Sequence, residues 1–411
     1  MSLGAVILMQ DEPRSDNFAV LEDELLNAVT EIRVEQHLDK QASFAIRFQE
    51  DFEDTRSVEN IQRLFAQARG MAVLVPTGEV TEMNPDGLVC LIRGQVENVE
   101  FDVNTGGSGS WFEVRGQDTR TLINRKSATY QFDGASHEFL AEVVEACTTE
   151  KPDIGEQITN YIGGTYRCRG SRLDAVYELA RKSAFHFWLT YEVVLSESYY
   201  QVKTTGHVKS SPDRNDSEQE GKLDDLKDLG LVLGDAAAKL KILGEDGECE
   251  TVINFSSKVD NEVYNVVISH GQNLDDGSEE TNEESSLAPE LNDGESPATV
   301  GYSEGPMLEW GDEEERALQV TTVGDVNIAR WQAYAAATAA SWYVRGEALT
   351  TVHMLKQLLM PHEVVEVVGG GCGIAGKYQV SDVTHIINPA AHWMQLSLRS
   401  NSRSLEEKKV L

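Results

Sequence analysis

The sequence predicts an α+β protein, mainly β, with two tube-like antiparallel β-barrel modules, a small α+β domain inserted between them and a helix-containing insertion in the second barrel. Three observations carry this expectation. One residue pattern occurs twice, once near each end of the chain; its surroundings alternate apolar and polar residues as strands do; and two segments between the copies change to helical spacing. The first copy carries Val73-x-Val75-x-x-Gly78, then Gln95-Val96-Glu97-Asn98-Val99, then Trp111-Phe112-x-Val114. The second carries Val365-x-Val367-x-x-Gly370, then Gln379-Val380-Ser381-Asp382-Val383, then Trp393-Met394-x-Leu396. Order and apolar phase agree while the loops differ in length. Loop length drifts easily between copies of one fold because closure entropy grows slowly with length.

The elements follow from local chemistry. Between Thr30 and Gln49, Ile32 and Val34 share one face, Phe44, Ile46 and Phe48 share another, and Leu38-Asp39-Lys40-Gln41 supplies the turn of a hairpin. A short helix over Ile61–Ala68 leads to strands at Met71–Val75, Leu88–Arg93, Glu97–Val103 and Trp111–Arg115. Asn84-Pro85-Asp86-Gly87 and Asn104-Thr105-Gly106-Gly107 are turn sequences between them. This closes a first barrel at residues 1–125.

Residues 126–205 read as the small α+β domain. Ser136 can cap a helix carrying Phe139, Leu140, Val143 and Val144, and Ser171 with Asp174 can cap another carrying Leu173, Val176, Tyr177 and Ala180. Strands at Phe185–Leu189, Glu192–Val194 and Ser198–Val202 follow. Residues 206–248 read as a linker, with 207–223 an exposed loop.

The second barrel spans 249–411. Val263–Ile268 is a strand, and an acidic insertion at 272–315 follows; between Lys258 and Arg316 there is no Lys or Arg but seventeen Asp and Glu. Ile328, Trp331, Ala335, Ala339 and Trp342 form one stripe of a helix over 326–345, which packs through its aromatics. Strands at Leu349–Leu355, Glu363–Val368, Lys377–Val383 and Trp393–Arg399 complete the module.

Composition narrows the function. A chain of 411 residues can bury a sizeable core without staples, and its five cysteines are odd in number, far apart and free of any C-x-x-C pair. Neither a disulfide framework nor a zinc site follows. No signal-peptide pattern and no long apolar run is present, so neither secretion by signal peptide nor membrane anchoring is expected. A formal net charge of −34 opposes sequence-unspecific, stable nucleic-acid binding, which needs clustered cations to release counterions. Acidity serves either solubility or repulsion of an acidic cargo.

No catalytic or metal motif emerges. Gly371-Cys372-Gly373-Ile374-Ala375-Gly376 has the G-x-G-x-x-G form, but Lys377-Tyr378-Gln379-Val380 continues as β structure where a dinucleotide site needs a helix. It reads as a glycine-rich turn. The nine histidines form no H-E-x-x-H and no G-x-S-x-G occurs, so catalytic residues, metal ligands and cofactors are all expected to be none.

Several runs resemble one family. Val114-Arg115-Gly116-Gln117-Asp118, followed by Leu122 and Arg125, is similar to the strand-turn segment with which the phage late control D and contractile-tail baseplate hub proteins leave their first barrel. Ser171-Arg172-Leu173-Asp174 with Leu179-Ala180 and the strand Phe185–Trp188 resembles that family's middle domain. Met360-Pro361-His362-Glu363-Val364-Val365 and Gly376–His385, with Tyr378, Val380 and His385, resemble its closing strands. The family usually has glycine after that proline; here His362 replaces it. The resemblance covers roughly residues 30–400. It implies a structural homotrimer in which six similar barrels meet a six-fold tail tube on one side and a three-fold spike on the other, the symmetry adaptation that a duplicated module provides. Expected partners are the chain itself, the tail tube protein, a separate spike protein and other baseplate proteins. Type VI spike proteins fuse a spike after this hub, and a chain ending at Leu411 is expected to use a separate one. Assembly in a bacterial cytoplasm and a place in the baseplate of a virion or injection particle follow, with no enzyme activity. Competing readings are a glycan- or ligand-binding β module, from Trp111, Trp188 and Trp393 near strand ends, and a tail-tip peptidoglycan hydrolase.

Overall fold

A computed structural model describes residues 4–10, 17–50, 52, 55–65, 69–77, 87–104, 109–133, 136–155, 165–196, 199–210, 238–243, 249–260, 266–272, 279–284, 291–292, 317–323, 326–370 and 374–402. From the N-terminus come β1 (Val6–Gln10), β2 (Asn17–Val20) and α1 (Asp23–Ala28). The first module follows as β3 (Val29–His37), β4 (Ser43–Gln49), α2 (Thr55–Leu64), β5 (Gly70–Pro76), β6 (Leu88–Asp102) and β7 (Trp111–Asp118), with α3 (Thr121–Asn124) after it. The middle of the chain supplies β8 (Ser127–Asp133), α4 (Ser136–Glu145), β9 (Asp153–Ile154), β10 (Thr165–Ser171), α5 (Arg172–Lys182), β11 (His186–Ser196) and β12 (Tyr199–Lys209). β13 (Ala238–Lys241) comes next. The second module is β14 (Asn254–Val259), β15 (Val266–Gln272), β16 (Glu279–Glu284), β17 (Ala317–Val323), α6 (Val326–Ala340), β18 (Val344–Thr351), α7 (Val352–Leu355), β19 (Val364–Val368), β20 (Gly376–Ile387) and β21 (His392–Ser400).

The protein is α+β and mainly β, as the sequence predicts. One large sheet runs in the order β11-β12-β2-β1-β5-β6-β7-β4-β3-β20-β21-β18-β14, with β19 also on β20, β13 on β19 and β9 on β12. β13, from within the stretch read as linker, adds to β19 in parallel. β8 pairs with β10, and β15 lies between β16 and β17.

The duplication reappears as topology and register. The pairing order β3-β4-β7-β6-β5 in the first module matches β14-β18-β21-β20-β19 in the second, and a helix joins the second and third chain-order strands of each, α2 and α7. β6 bulges against β7 between Val96 and Asn98, and β20 bulges against β21 between Val380 and Asp382. These are equivalent positions of the repeated Gln-Val run. Beyond the bulge Val99 faces Val114, and Val383 faces Leu396. The first repeated strand is the exception. Val365 stands opposite Tyr378, whereas the residue opposite the equivalent Gly94 is Met71, not Val73. A shift of two residues leaves the buried face unchanged, because side chains alternate with period two, so the apolar phase hid it.

One continuous core underlies both modules, with Ile32, Ile46, Phe48, Phe112 and Val114 from the first and Val365, Val380, Val383 and Leu396 from the second. Phe48 and Phe112 stack at 4.5 Å. A second cluster, with Leu140, Val143, Val176, Leu179 and Phe187, holds α4 and α5 against β11.

Several boundaries differ from expectation. Leu88–Arg93 and Glu97–Val103 belong to one strand, β6, and the break expected between them is followed by a bulge at Val96–Asn98 that leaves the strand continuous. Phe185–Leu189 and Glu192–Val194 likewise merge into β11. The helix expected over Ile61–Ala68 begins earlier, at Thr55, and residues 66–68 lie outside the described set. The helix expected over 326–345 ends at Ala340, and β18 begins at Val344, where β-branched residues pair with β21. The Thr351 hydroxyl accepts from the Met354 amide and turns the expected strand Leu349–Leu355 into the short helix α7. Trp342 therefore lies beyond the helix, and the buried face of α6 is Ala333 and Ala337 against Val267. The side chains of Ile328 and Trp331 lie outside the described set, as do the turns at 84–86 and 105–107, residues 211–237 and most of the acidic stretch 272–315.

Gly116 is a close-approach position. A Cβ there would stand 2.2 Å from the Gln95 carbonyl oxygen and 2.4 Å from the Phe44 ring. Neither the ladder backbone nor a buried ring can yield cheaply. Gly116→Ala is expected to cost about 1–3 kcal/mol, read as a lowered midpoint in denaturant unfolding with unchanged slope.

Candidate functional site

The candidate site is the junction where the two modules meet each other and the middle of the chain, together with the sheet edges that flank it. β20 makes the junction. Its first residues pair with β19, from Gly376↔Val367 to Gln379↔Val364, and its later residues pair on the same side with β3, from Asp382↔His37 to Ile387↔Ile32. The bulge at Ser381 bends the strand between these two partners, and the Leu38 amide donates to the Ser381 carbonyl there.

Buried polar groups run across this ladder. His392 Nε2 and His385 Nδ1 are 3.0 Å apart, His385 Nε2 is 3.2 Å from Gln36 Oε1, and Gln36 Nε2 donates to the Leu91 carbonyl at 2.5 Å. These bonds assign the tautomers: His392 donates to His385, which donates to Gln36. His385 is fully buried, and burial, then the neighbouring His392, holds its pKa well below the ordinary value. Burial also pushes His392 down to about 4. At the far end of the ladder His37 Nδ1 lies 2.6 Å from Asp382 Oδ1.

A second joint involves Asp118, the acid of the resembling strand-turn segment. Asp118 is fully buried and accepts from the Ala42 amide at 2.7 Å, from the Arg120 amide at 2.9 Å and from the Arg120 guanidinium at 2.6 and 2.9 Å. Arg120 in turn donates to the Phe187 carbonyl at 2.8 Å and the Tyr177 hydroxyl at 3.0 Å. Burial opposes the charge on Arg120, but Asp118 beside it more than offsets this and keeps the guanidinium protonated. The pair ties β7 to the β3–β4 turn, α5 and β11.

A third joint crosses to the second module. The Trp188 ring is covered by His207, its ladder partner, at 5.2 Å and by His362 at 4.0 Å. His362 holds φ +85°, the left-handed region that glycine enters freely, which accounts for glycine being the family's usual residue there. Its imidazole gains the stack in exchange, and burial, then the neighbouring His186 and His207, keeps its pKa well below the ordinary value. Nearby, Arg399 Nη2 donates to His186 Nε2 at 3.1 Å while His186 Nδ1 bonds Asp39. Burial, more than its other neighbours, lowers the His186 pKa. Arg399 lies over the Trp342 ring at 4.2 Å, and its own pKa falls to about 10 through burial. Asp39, His186, Trp342 and Arg399 line a cleft of about 490 Å³ that also takes in Arg181 and Asp382.

The positions singled out by sequence resemblance do not converge on one site. Tyr378, Val380 and His385 share β20, all buried, and the Tyr378 hydroxyl donates to the Ile374 carbonyl at 2.8 Å. Gly116 and Asp118 share β7; Leu122 lies exposed on α3; Pro361 is buried just before His362. Ser171 and Asp174 form the capping box of α5: the Ser171 hydroxyl accepts from the Asp174 amide at 3.0 Å, and Asp174 accepts from the Ser171 amide at 2.7 Å. They position an element and touch no cleft. Arg120, Arg399 and the stack on Trp188 went unnoticed in the sequence, since only the tertiary pairing joins them. Trp111 carries the Arg47 guanidinium on its ring at 4.5 Å. Gly376, last of the glycine-rich run, opens β20 rather than a helix. Among the described residues no group of three or more His, Cys, Asp or Glu is placed to hold a metal ion, and no helix is long and apolar enough to cross a membrane.

No protein-family model matches the chain, and no curated protein matches it. Solved structures do. The fold is shared with the 43 kDa tail protein of prophage MuSo2 from Shewanella oneidensis, at TM-score 0.54 and 11% identity over 97% of this chain and 98% of that one. It is also shared with the tail protein from Neisseria meningitidis MC58, at TM-score 0.58 and 10% identity over 97% of both chains. A chain of the lidded PdpA-VgrG complex from Francisella matches at TM-score 0.51 and 9% identity, over 97% of this chain and 52% of its own length.

Two outcomes follow from the junction. Asp118→Asn keeps the shape but leaves Arg120 buried without a counter-ion, and is expected to cost about 3–5 kcal/mol by denaturant unfolding. A cost below 1 kcal/mol would show that the pair is not a joint. The histidines set the pH dependence. His186, His362, His385 and His392 all have folded pKa values below the unfolded value near 6.5, so below that pH the unfolded chain takes protons that the folded one refuses. Glu363 acts oppositely, since burial raises its pKa to about 7 and its contribution is complete only below about 4.5. Four groups outweigh one. Stability should fall as pH drops from 7 to 5, by up to roughly 1.4 kcal/mol per pH unit for each unmatched proton, and His385→Gln should make the slope shallower; a flat or rising melting temperature over that range refutes it.

Proposed function

We propose that this chain is a structural hub of a contractile tail, in a phage or a phage-tail-like injection particle, and that it works as a homotrimer without catalysis. The observation that carries the reading is the pair of modules with identical pairing order and matching bulges, on a fold shared over nearly the full length of tail proteins from a prophage and from Neisseria. Two alike modules per chain let three chains present six alike positions to a six-fold tail tube while keeping three-fold symmetry toward a spike. The tail tube protein, a spike and other baseplate proteins are the partners of this reading, with assembly in the bacterial cytoplasm and a place in the finished baseplate.

The mechanism is mechanical coupling. The buried joints at Asp118–Arg120, at Trp188–His362 and along β3–β20 hold the modules to the middle of the chain, so that force entering at one face reaches the other without the chain hinging. Gly116, Asp118, Leu122, Ser171, Asp174, Pro361, Tyr378, Val380 and His385 serve in this reading as scaffold positions rather than as contacts to a substrate.

Light scattering on the purified full chain tests it. The expected absolute mass is that of three chains, with ring-like end views in negative stain; a chain that stays monomeric at high concentration would sink the proposal.

A further inference from the structure

The two modules are equivalent strand for strand, but one equivalent junction is filled and the other is open. Within the chain, the post-bulge half of β20 pairs with β3. The element equivalent to the post-bulge half of β20 is Asn98–Asp102 of β6, and the element equivalent to β3 is β14. Among the described residues, Asn98–Asp102 pairs on one side only, with β7, and β14 is the last strand of the sheet. Their side chains show it. β3 reads buried at Ile32, Val34 and Gln36, whereas β14 alternates between exposed and half-buried throughout; Asn98, Glu100 and Asp102 are exposed, and Val103 just beyond is 47% exposed. Six strands of the sheet separate β6 from β14 in one chain, so the two edges do not meet there.

We infer that β14 of one chain pairs antiparallel with the post-bulge half of β6 of a second copy, in the register that β3 and β20 use inside the chain. This rests on the trimeric reading above and names its interface. The register follows from the ladders. Ile46 faces Val114 and Ile32, and the equivalent Ala348 faces Leu396 and Phe255; Ile32 therefore corresponds to Phe255, Glu35 to Lys258 and Gln36 to Val259. Glu35 faces Thr384 and Gln36 faces Val383. Carried over to the second copy, Val259 faces Val99, Lys258 faces Glu100, Ser257 faces Phe101 and Ser256 faces Asp102.

The chemistry fits without adjustment. The half-buried valines meet on the core side, and the exposed Lys258 meets the exposed Glu100, an opposite-charge cross-strand pair in a protein with few cations. Glu100 already holds Arg115 at 3.1 Å, and Arg115 and Arg47 both hold Glu113, so Lys258 would bring a third cation to the Glu100 and Glu113 carboxylates. A one-residue slip would set Lys258 against Val99 or Phe101 and turn Val259 outward. The interface is heterologous, β14 to β6 and never β14 to β14, so it closes as a ring or not at all.

Cross-linking of the full chain tests the register. Glu100→Cys and Lys258→Cys are combined with Cys249→Ser and Cys372→Ser and treated with a short bismaleimide, and linked peptides are mapped by mass spectrometry. The expected product is a covalent ring containing links between positions 100 and 258, with each single variant unlinked. Separately, Lys258→Glu, on an exposed side chain, should weaken association roughly ten-fold per interface with unchanged thermal unfolding. A three-chain mass without 100–258 links, or with Lys258→Glu assembling as the parent does, overturns this pairing and leaves the hub reading intact. A monomer at every concentration overturns both.

Discussion

The structure depends on how one strand satisfies its backbone. β20 carries a full row of amides and carbonyls on each edge, and over a buried core these must be paired. One edge runs along β21; the other is shared, its start taken by β19 of its own module and its end by β3 of the other. The bulge at Ser381 makes the sharing possible, because an extra residue turns the strand and redirects its edge from one partner to the next. Two modules that could have been separate sheets become one, and the core beneath them becomes continuous.

Polar chemistry then fixes the arrangement that hydrophobic burial alone leaves loose. A ladder of valines and isoleucines tolerates sliding by two residues, as the shift between Met71 and Val365 demonstrates. The line from His392 through His385 and Gln36 to the Leu91 carbonyl does not, since each donor has one acceptor within reach. Asp118 and Arg120 act similarly where β7 leaves the first module: an unpaired charge at a fully buried site is costly, so any packing that separates them is excluded.

The sequence disclosed what periodicity and local chemistry encode. The hairpin at 30–49, the cap at Ser171 and Asp174, the helix beginning at Val326 and the repeat itself all rest on contacts within a few residues or on patterns of period two and 3.6. What stayed hidden was long-range or ambiguous. The bulge at Val96–Asn98 makes one strand look like two; helix α6 reads too long because alanines continue to Ala340 and Trp342 shares their phase; β1, β2, β8, β10 and β13 are short or irregular and owe their existence to neighbours. His362 was legible only as a departure from a glycine, and its stack on Trp188 joins elements 174 positions apart. The junction residues Arg120, Arg399 and Gln36 carry no local signature, because a buried partner supplied from another element is what gives each its role.

The duplication also constrains how an exposed strand edge can be left safe. β3 and β14 occupy equivalent positions in the two modules, but β3 finds its partner on the same chain, where effective concentration is set by the linker and association costs little. Its ladder can therefore hold polar residues such as Gln36 and His37 without loss of occupancy. β14 presents its edge outward and carries Lys258, with Asn254 and Ser256, where a strand of alternating valines would pair indiscriminately. A charged residue on an edge penalises every partner that lacks an opposing acid at that register, and in a chain of net charge −34 most surfaces repel one another before they meet. The two copies thus differ in kind: one edge is paired within the chain, and the other, among the described residues, ends the sheet with a lysine on it.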